Sequence, residues 1–239
     1  MSKRRRRLSL FAWLFAAPLL LGFKQPSDEE IVRSFDLIVL NTEHREMTVK
    51  MVRKWVAPIR IYLDVRVADA AYYRRLTQGI VDQLAAASGH DIRIVDDRAA
   101  ANVVSTFDRM DGLVGAVEAL YPGDAWIREI VNTNLCTGRF FSNDRGEIFR
   151  ADIFIPTDRA SSVGMLPACV IEETTQILGL PNDSDQVLFS IFNDNSGFMD
   201  LTTQDLMLIR LLYDPRLEPG MRRAEALATV RRIVPEFRR

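Results

Sequence analysis

A chain of 239 residues with 48% apolar and 26% charged content is long enough to bury one sizeable core with small appendages, and it contains no internal repeat or low-complexity tract. Six of its 31 Lys and Arg residues and none of its 32 Asp and Glu residues fall in positions 1–25, so a net charge of −1 overall leaves −7 on the remainder. That acidic, mixed-sign surface excludes nucleic acid as a natural partner.

The N-terminus opens with Lys3-Arg4-Arg5-Arg6-Arg7, followed by an apolar run from Leu8 to Phe23 broken by Ser9 and Pro18. The run is short for a spanning helix and suits the apolar region of a signal peptide or a short signal anchor over residues 1–25. The basic cluster stays cytoplasmic, so everything after Lys24 is expected to be exported, either periplasmic or anchored to the inner membrane facing the periplasm. Any membrane contact runs through this segment if it stays uncleaved. No cysteine lies near position 24, which excludes a lipid anchor there, and no small-x-small triplet marks a cleavage site.

Residues 26–54 read as an N-terminal helical extension. Ser27-Asp28-Glu29-Glu30 supplies an N-cap and first-turn acids, and Ile31, Phe35, Ile38 and Val39 continue at helical spacing to about Leu40. Trp55 to Val67 reads as one strand, with Ile59, Ile61 and Leu63 alternating against Arg60 and Tyr62. Ala68 to Ala87 reads as a helix closed by Ser88-Gly89. Strands follow at 91–95 and 102–107, then a mostly helical or irregular stretch over 113–132. Arg139–Phe141 and Ile148–Ile155 form a hairpin through Asn143-Asp144-Arg145-Gly146.

Next come a helix over Cys169–Gly179, a polar loop from Pro181 to Asp200, and a helix over Thr202–Tyr213 opened by a capping box of Thr202 and Asp205. Residues 215–239 hold an amphipathic helix with Leu227, Val230 and Val234 on one face. This order predicts a mixed α/β (α+β) domain over residues 55–214 with flanking helices. Cys136 and Cys169 either pair, as an oxidising compartment permits, or stay as two buried thiols; the sequence leaves both open.

The most informative stretch is Cys169-Val-Ile-Glu-Glu-Thr-Thr-Gln-Ile-Leu-Gly-Leu-Pro-Asn-Asp183. It resembles the active-site helix of metzincins, H-E-x-x-H-x-x-G-x-x-H. Glu172 takes the first histidine, Glu173 the general-base glutamate, Gln176 the second histidine and Gly179 the glycine. Asn182 takes the third ligand position, with Asp183 one residue beyond. Downstream, Phe192 stands where metzincins carry the methionine of their Met-turn and Asp194 where some carry a tyrosine. Asp205, Ile209, Leu212 and Tyr213 fit a D-x-x-x-I-x-x-L-Y helix. The segment 169–214 is also similar to an uncharacterised family of exported proteobacterial proteins with the form C-x-x-E-E-x-x-Q-x-x-G-L.

The resemblance implies a zincin-like mixed sheet beside an active-site-type helix, and a chemistry without ordinary zinc ligands. The two histidines, His44 and His90, lie far outside the segment, so a three-histidine site is impossible. The expected function is a non-catalytic binding module, a pseudo-peptidase that captures a peptide or envelope protein along an edge strand at Arg139, Phe140 and Phe141. The alternative is a divergent metal-dependent peptidase or hydrolase, with Glu173 as base and metal on Glu172, Gln176 and Asp183. A third reading is a structural envelope component. No cofactor is expected; the alternatives are zinc, or calcium held by Glu172, Gln176, Asn182 and Asp183.

Four blander readings stand beside these. The polar residues hydrogen-bond one another in a filled cavity, or the paired glutamates complement a helix dipole at its start. Asn193–Gly197 is a calcium-loop fragment or a plain turn, and Trp55 and Trp126 are packing residues.

Overall fold

The computed structural model describes residues 26–42 and 49–238. The basic and apolar segment at 1–25 and His44 lie outside the described residues. Strands β1 (Lys54–Trp55), β2 (Ile59–Val65), β3 (Ile92–Val95), β4 (Val103–Asp108), β5 (Thr137–Ser142) and β6 (Glu147–Pro156) form one sheet. Helices α1 (Asp28–Ile38), α2 (Ala70–Ser88), α3 (Met110–Leu120), α4 (Ala125–Thr133), α5 (Thr157–Ser162), α6 (Leu166–Gln176), α7 (Thr203–Tyr213) and α8 (Arg223–Ile233) surround it. The chain is therefore a mixed α/β protein.

Strands β3, β2, β4 and β6 run parallel in that spatial order, and β5 turns back antiparallel on the outer side of β6. The hairpin follows from its turn: Gly146 at φ +76° closes it, and a Cβ there would meet the Val52 carbonyl at 2.5 Å. Strand β1 pairs with the first residues of β6 on the side opposite β5, since Ile148 faces Trp55 across one edge and Ser142 across the other. The expected single strand over 55–67 is thus two. Val56–Pro58 breaks the ladder, and β1 and β2 join different neighbours because Pro58 has no N–H to donate.

The main core lies on one face of the sheet, where α1, α2, α6, α7 and α8 bring Phe35, Leu84, Ile171, Leu208 and Val230 together with Ile61 and Ile153. The flanking helices share this core with residues 55–214: Ile31, Ile38, Val230 and Ile233 are buried in it, and Met51 pairs with Arg222. The other face carries a smaller cluster, in which Leu113, Val117, Ile127 and Val131 of α3 and α4 pack on Phe154.

Helix starts follow their caps. Ser27 and Glu30 form a reciprocal capping box on α1, and Thr202 and Asp205 form another on α7. Helix α6 begins three residues before the expected start, with a proline in its first turn, and ends at Gln176. Glu172 and Glu173 therefore sit past its middle, and its first turn holds no acid, so the dipole reading of that pair falls.

The turn after α6 is clamped from three sides. Gly179 adopts φ +113° and its missing Cβ would lie 2.0 Å from the Arg53 carbonyl oxygen, so no other residue fits. Trp55 Nε1 donates to the Ile177 carbonyl at 2.7 Å, and the Tyr213 hydroxyl donates to the Leu178 carbonyl at 2.9 Å. Trp55 is fully buried as a packing residue, with its polar edge spent on this turn.

Candidate functional site: an acidic cleft beside the outer strand

A cavity of about 580 Å³ opens between α6, the start of β5 and the loop 181–198. Its two walls are tied covalently. Cys136, just before β5, and Cys169, on the second turn of α6, form a disulfide with Cα atoms 5.8 Å apart. Two buried thiols are therefore not the arrangement here.

Glu172 and Gln176 lie four residues apart and share the face of α6 that looks into the cavity. Three carboxylates converge there. One oxygen each from Glu172, Asp183 and Asp194 lies within 4.8 Å of the others. Gln176 Nε2 donates to both oxygens of Asp183, at 3.0 and 3.1 Å, so its amide holds the aspartate in place and presents a donor on that side. The Glu172 carboxyl is pushed up to about 10, first by burial and then by the negative charges of Glu173, Asp183 and Asp194. At neutral pH Glu172 carries a proton and shares a hydrogen bond with Asp183.

Glu173 is buried at 5% exposure and points from the adjacent helical position toward β5. A Cβ on Gly138 would lie 2.7 Å from its Oε2, so the strand leaves out a side chain where this glutamate fits. Thr137, next along β5, lines the same cavity with its Oγ1 buried and unpartnered among the described residues.

Asn182, one of the expected ligands, does not line the cavity. Its Nδ2 donates to the Leu37 carbonyl at 2.9 Å and the Asp183 carbonyl at 2.8 Å, which ties the loop to α1. Asn193 likewise folds the loop, donating to the carbonyls of Asp185 and Val187 at 3.3 Å. The 193–197 stretch is a turn by conformation, and it also delivers Asp194 to the carboxylate group, which the ligand set read from the sequence omits. Phe192 is fully buried beneath the loop. His90 lies away from the cavity, donating or accepting at the Ala57 carbonyl with its ring 5.3 Å from that of Tyr213.

The outer strand is held by its side chains. Phe140 is 5% exposed in the main core. Arg139 is buried, 3.6 Å from Asp124 and stacked against the rings of Phe141, Trp126 and Tyr121 at 4.8, 5.2 and 5.3 Å. What β5 offers outward is its backbone: among the described residues its only strand partner is β6. Trp126 packs on Arg139 and also lines the cavity.

Oxygen donors on three chain segments suit a hard cation or a cationic group. They do not suit tetrahedral zinc with imidazole or thiolate ligands. The chain belongs to the protein family described as a protein of unknown function, DUF2927, which matches residues 28–232. No curated protein matches it.

Proposed function

We propose that this is an exported, zincin-like pseudo-peptidase that binds an extended peptide, or an extended segment of an envelope protein, without cutting it. The reading is supported by the sheet order, in which the one long antiparallel strand lies outermost and next to the helix that carries Glu172 and Glu173. By analogy with zincins, which bind substrate along such a strand, β5 is the docking edge. The observation that carries the reading is the cavity itself. It runs between the unpaired side of β5 and the acidic face of α6, so a strand added to β5 would pass over Glu173, Glu172 and Asp183. Backbone pairing would supply affinity, and the carboxylates of Asp183 and Asp194 would favour a basic side chain.

Phe140 cannot report on this binding, because a charge or proline there would unfold the core. Trp126 can. Trp126→Ala removes a cavity wall and one of the rings stacked on Arg139, and should weaken binding of extended basic peptides about tenfold, the scale of an aromatic anchor. Glu173→Gln should leave affinity unchanged. Fluorescence anisotropy with labelled peptides measures both, and loss of function in Glu173→Gln alone would remove the non-catalytic reading.

A second reading is favoured by the proximity of three carboxylates: a divalent cation, calcium by its preference for oxygen, on Glu172, Asp183 and Asp194. Glu173 beside it would then be placed as a base for hydrolysis. Calcium titration calorimetry tests it. Stoichiometric binding that is lost in Asp194→Asn and strengthens as pH rises, since Glu172 must release its proton, supports the cation; no heat at millimolar calcium removes it.

A further inference from the structure

The loop that supplies Asp183 and Asp194 also carries four large apolar side chains in solvent: Leu188 at 67%, Phe189 at 46%, Phe198 at 37% and Met199 at 47% exposure. Scattered apolar residues on a surface mean little, but these four fall within twelve residues of one folded lobe. Ser196 Oγ donates to the Ser190 carbonyl at 2.9 Å, Thr202 Oγ1 lies 2.8 Å from the Phe189 carbonyl, and Ser190 is bonded to Asp205. The lobe is thus pinned at its base, and its apolar residues are left outside.

Its position on the molecule is specific. The loop runs alongside α1 toward that helix's N-terminus: Asn182 bonds to the Leu37 carbonyl, and four residues later Gln186 bonds to Arg33. Thr203 and Gln204, immediately after Thr202, line a second cavity together with Pro26, the first described residue. The apolar lobe and the point where residues 1–25 join the fold are therefore on the same end of the protein. The sequence of residues 8–23 is apolar and preceded by five consecutive basic residues.

We infer that this lobe is a second membrane contact, inserting Leu188, Phe189, Phe198 and Met199 into the interfacial layer of the bilayer to which residues 1–25 direct the chain. The inference rests on that reading of residues 1–25. Among the described residues no helix is long and apolar enough to cross a membrane, so the contact is peripheral. A lobe of four side chains binds a bilayer weakly by itself. Tethering through the N-terminal segment holds it at high local concentration against the surface, and the two signals together seat the domain. The charge nearby sets the lipid preference: Asp185, Asp194 and Asp200 are exposed on the same loop, so contact is apolar in origin and weakened by anionic headgroups. Seated this way, the acidic cleft, which Phe198 lines, opens beside the membrane surface.

The test uses the full chain reconstituted in phosphatidylethanolamine/phosphatidylcholine vesicles. An environment-sensitive dye is placed on a single new cysteine at Leu188, at Phe198 or, as a control, at Ala99 in the turn after β3 at the other edge of the sheet. Both native cysteines are in the disulfide and do not take the label. The expected result is blue-shifted emission at 188 and 198, quenched by lipids brominated along the acyl chain and restored as phosphatidylglycerol is added, with no response at 99. Protein that sediments with vesicles but shows no quenching at 188 and 198 overturns the lobe contact and leaves the N-terminal reading standing. Protein that does not sediment overturns both. A shift that follows protein concentration and ignores the brominated lipid assigns the lobe to a second copy and also overturns the proposal. Melting temperatures of the labelled forms equal to the unlabelled chain establish that the label has not unfolded the loop.

Discussion

The loop between α6 and α7 ends in two carboxylate centres that solve the same problem in opposite ways. At one, Asp205 is fully buried and receives hydrogen bonds from Ser190 Oγ at 2.5 Å, Ile191 N at 3.2 Å and Thr202 N at 2.8 Å. Burial raises its carboxyl, and these donors pull it back toward the ionised form. At the other, Glu172, Asp183 and Asp194 face one another, with the Gln176 amide donating to Asp183. The first centre is complete as built and locks the loop to α7. The second gathers three like charges, which a proton, a cation or a cationic ligand would relieve. Asp205 is thus a structural carboxylate, and the open group is the one proposed to meet a ligand.

Two substitutions press on that contrast, the larger first. Asp205→Ala strands a buried hydroxyl and two backbone donors, a loss of about 4 kcal/mol. The melting temperature should drop by about 10 °C at every pH between 5 and 8, read by calorimetry. A drop no larger than that of a surface substitution would erase the distinction between the two centres.

Glu172→Gln should behave in the opposite sense. Because the folded-state value of Glu172 lies near 10 and its ordinary value is 4.5, the folded chain holds a proton that the unfolded chain releases. The contribution of Glu172 to stability is thus full below about pH 4.5 and is lost as pH rises toward 10. The glutamine variant should match the parent at pH 4, exceed it at pH 8, and show a flatter plot of melting temperature against pH. A parent whose stability is level from pH 5 to 9, with calcium chelated, would contradict the acidic clustering.

Much of the fold was legible from one chain. The caps at Ser27 and Thr202, the Gly89 helix stop and the Gly146 turn each depend on residues within a few positions, and all four elements lie where those residues put them. Errors arose where a partner distant in sequence decides. The strand 55–67 broke at Pro58, where its two halves take different neighbours, β6 and β4. The early start of helix α6, by contrast, lay within local reach, since Pro167 is tolerated in a first turn.

The site followed the same division. Glu172, Gln176 and Asp183 are brought together on the helical face that spacing four residues apart implies. Asp194 was legible as a departure from the Met-turn and as part of a polar turn but not as a ligand, because its meeting with α6 depends on how Asn193 folds the loop. Asn182 looked like a ligand by its place in the motif, and only the approach of α1 shows its amide engaged elsewhere. The disulfide needed the same long-range information: thirty-three residues separate Cys136 from Cys169.

The central claim is that the cleft holds a peptide and leaves it whole. Incubating the purified protein and its Glu173→Gln variant with an extended-peptide library, then reading bound and free fractions by mass spectrometry, addresses it directly. The account predicts that both proteins retain the same basic peptides at full length. Peptides shortened by the parent and intact with Glu173→Gln would contradict it and make this acidic cleft an active site.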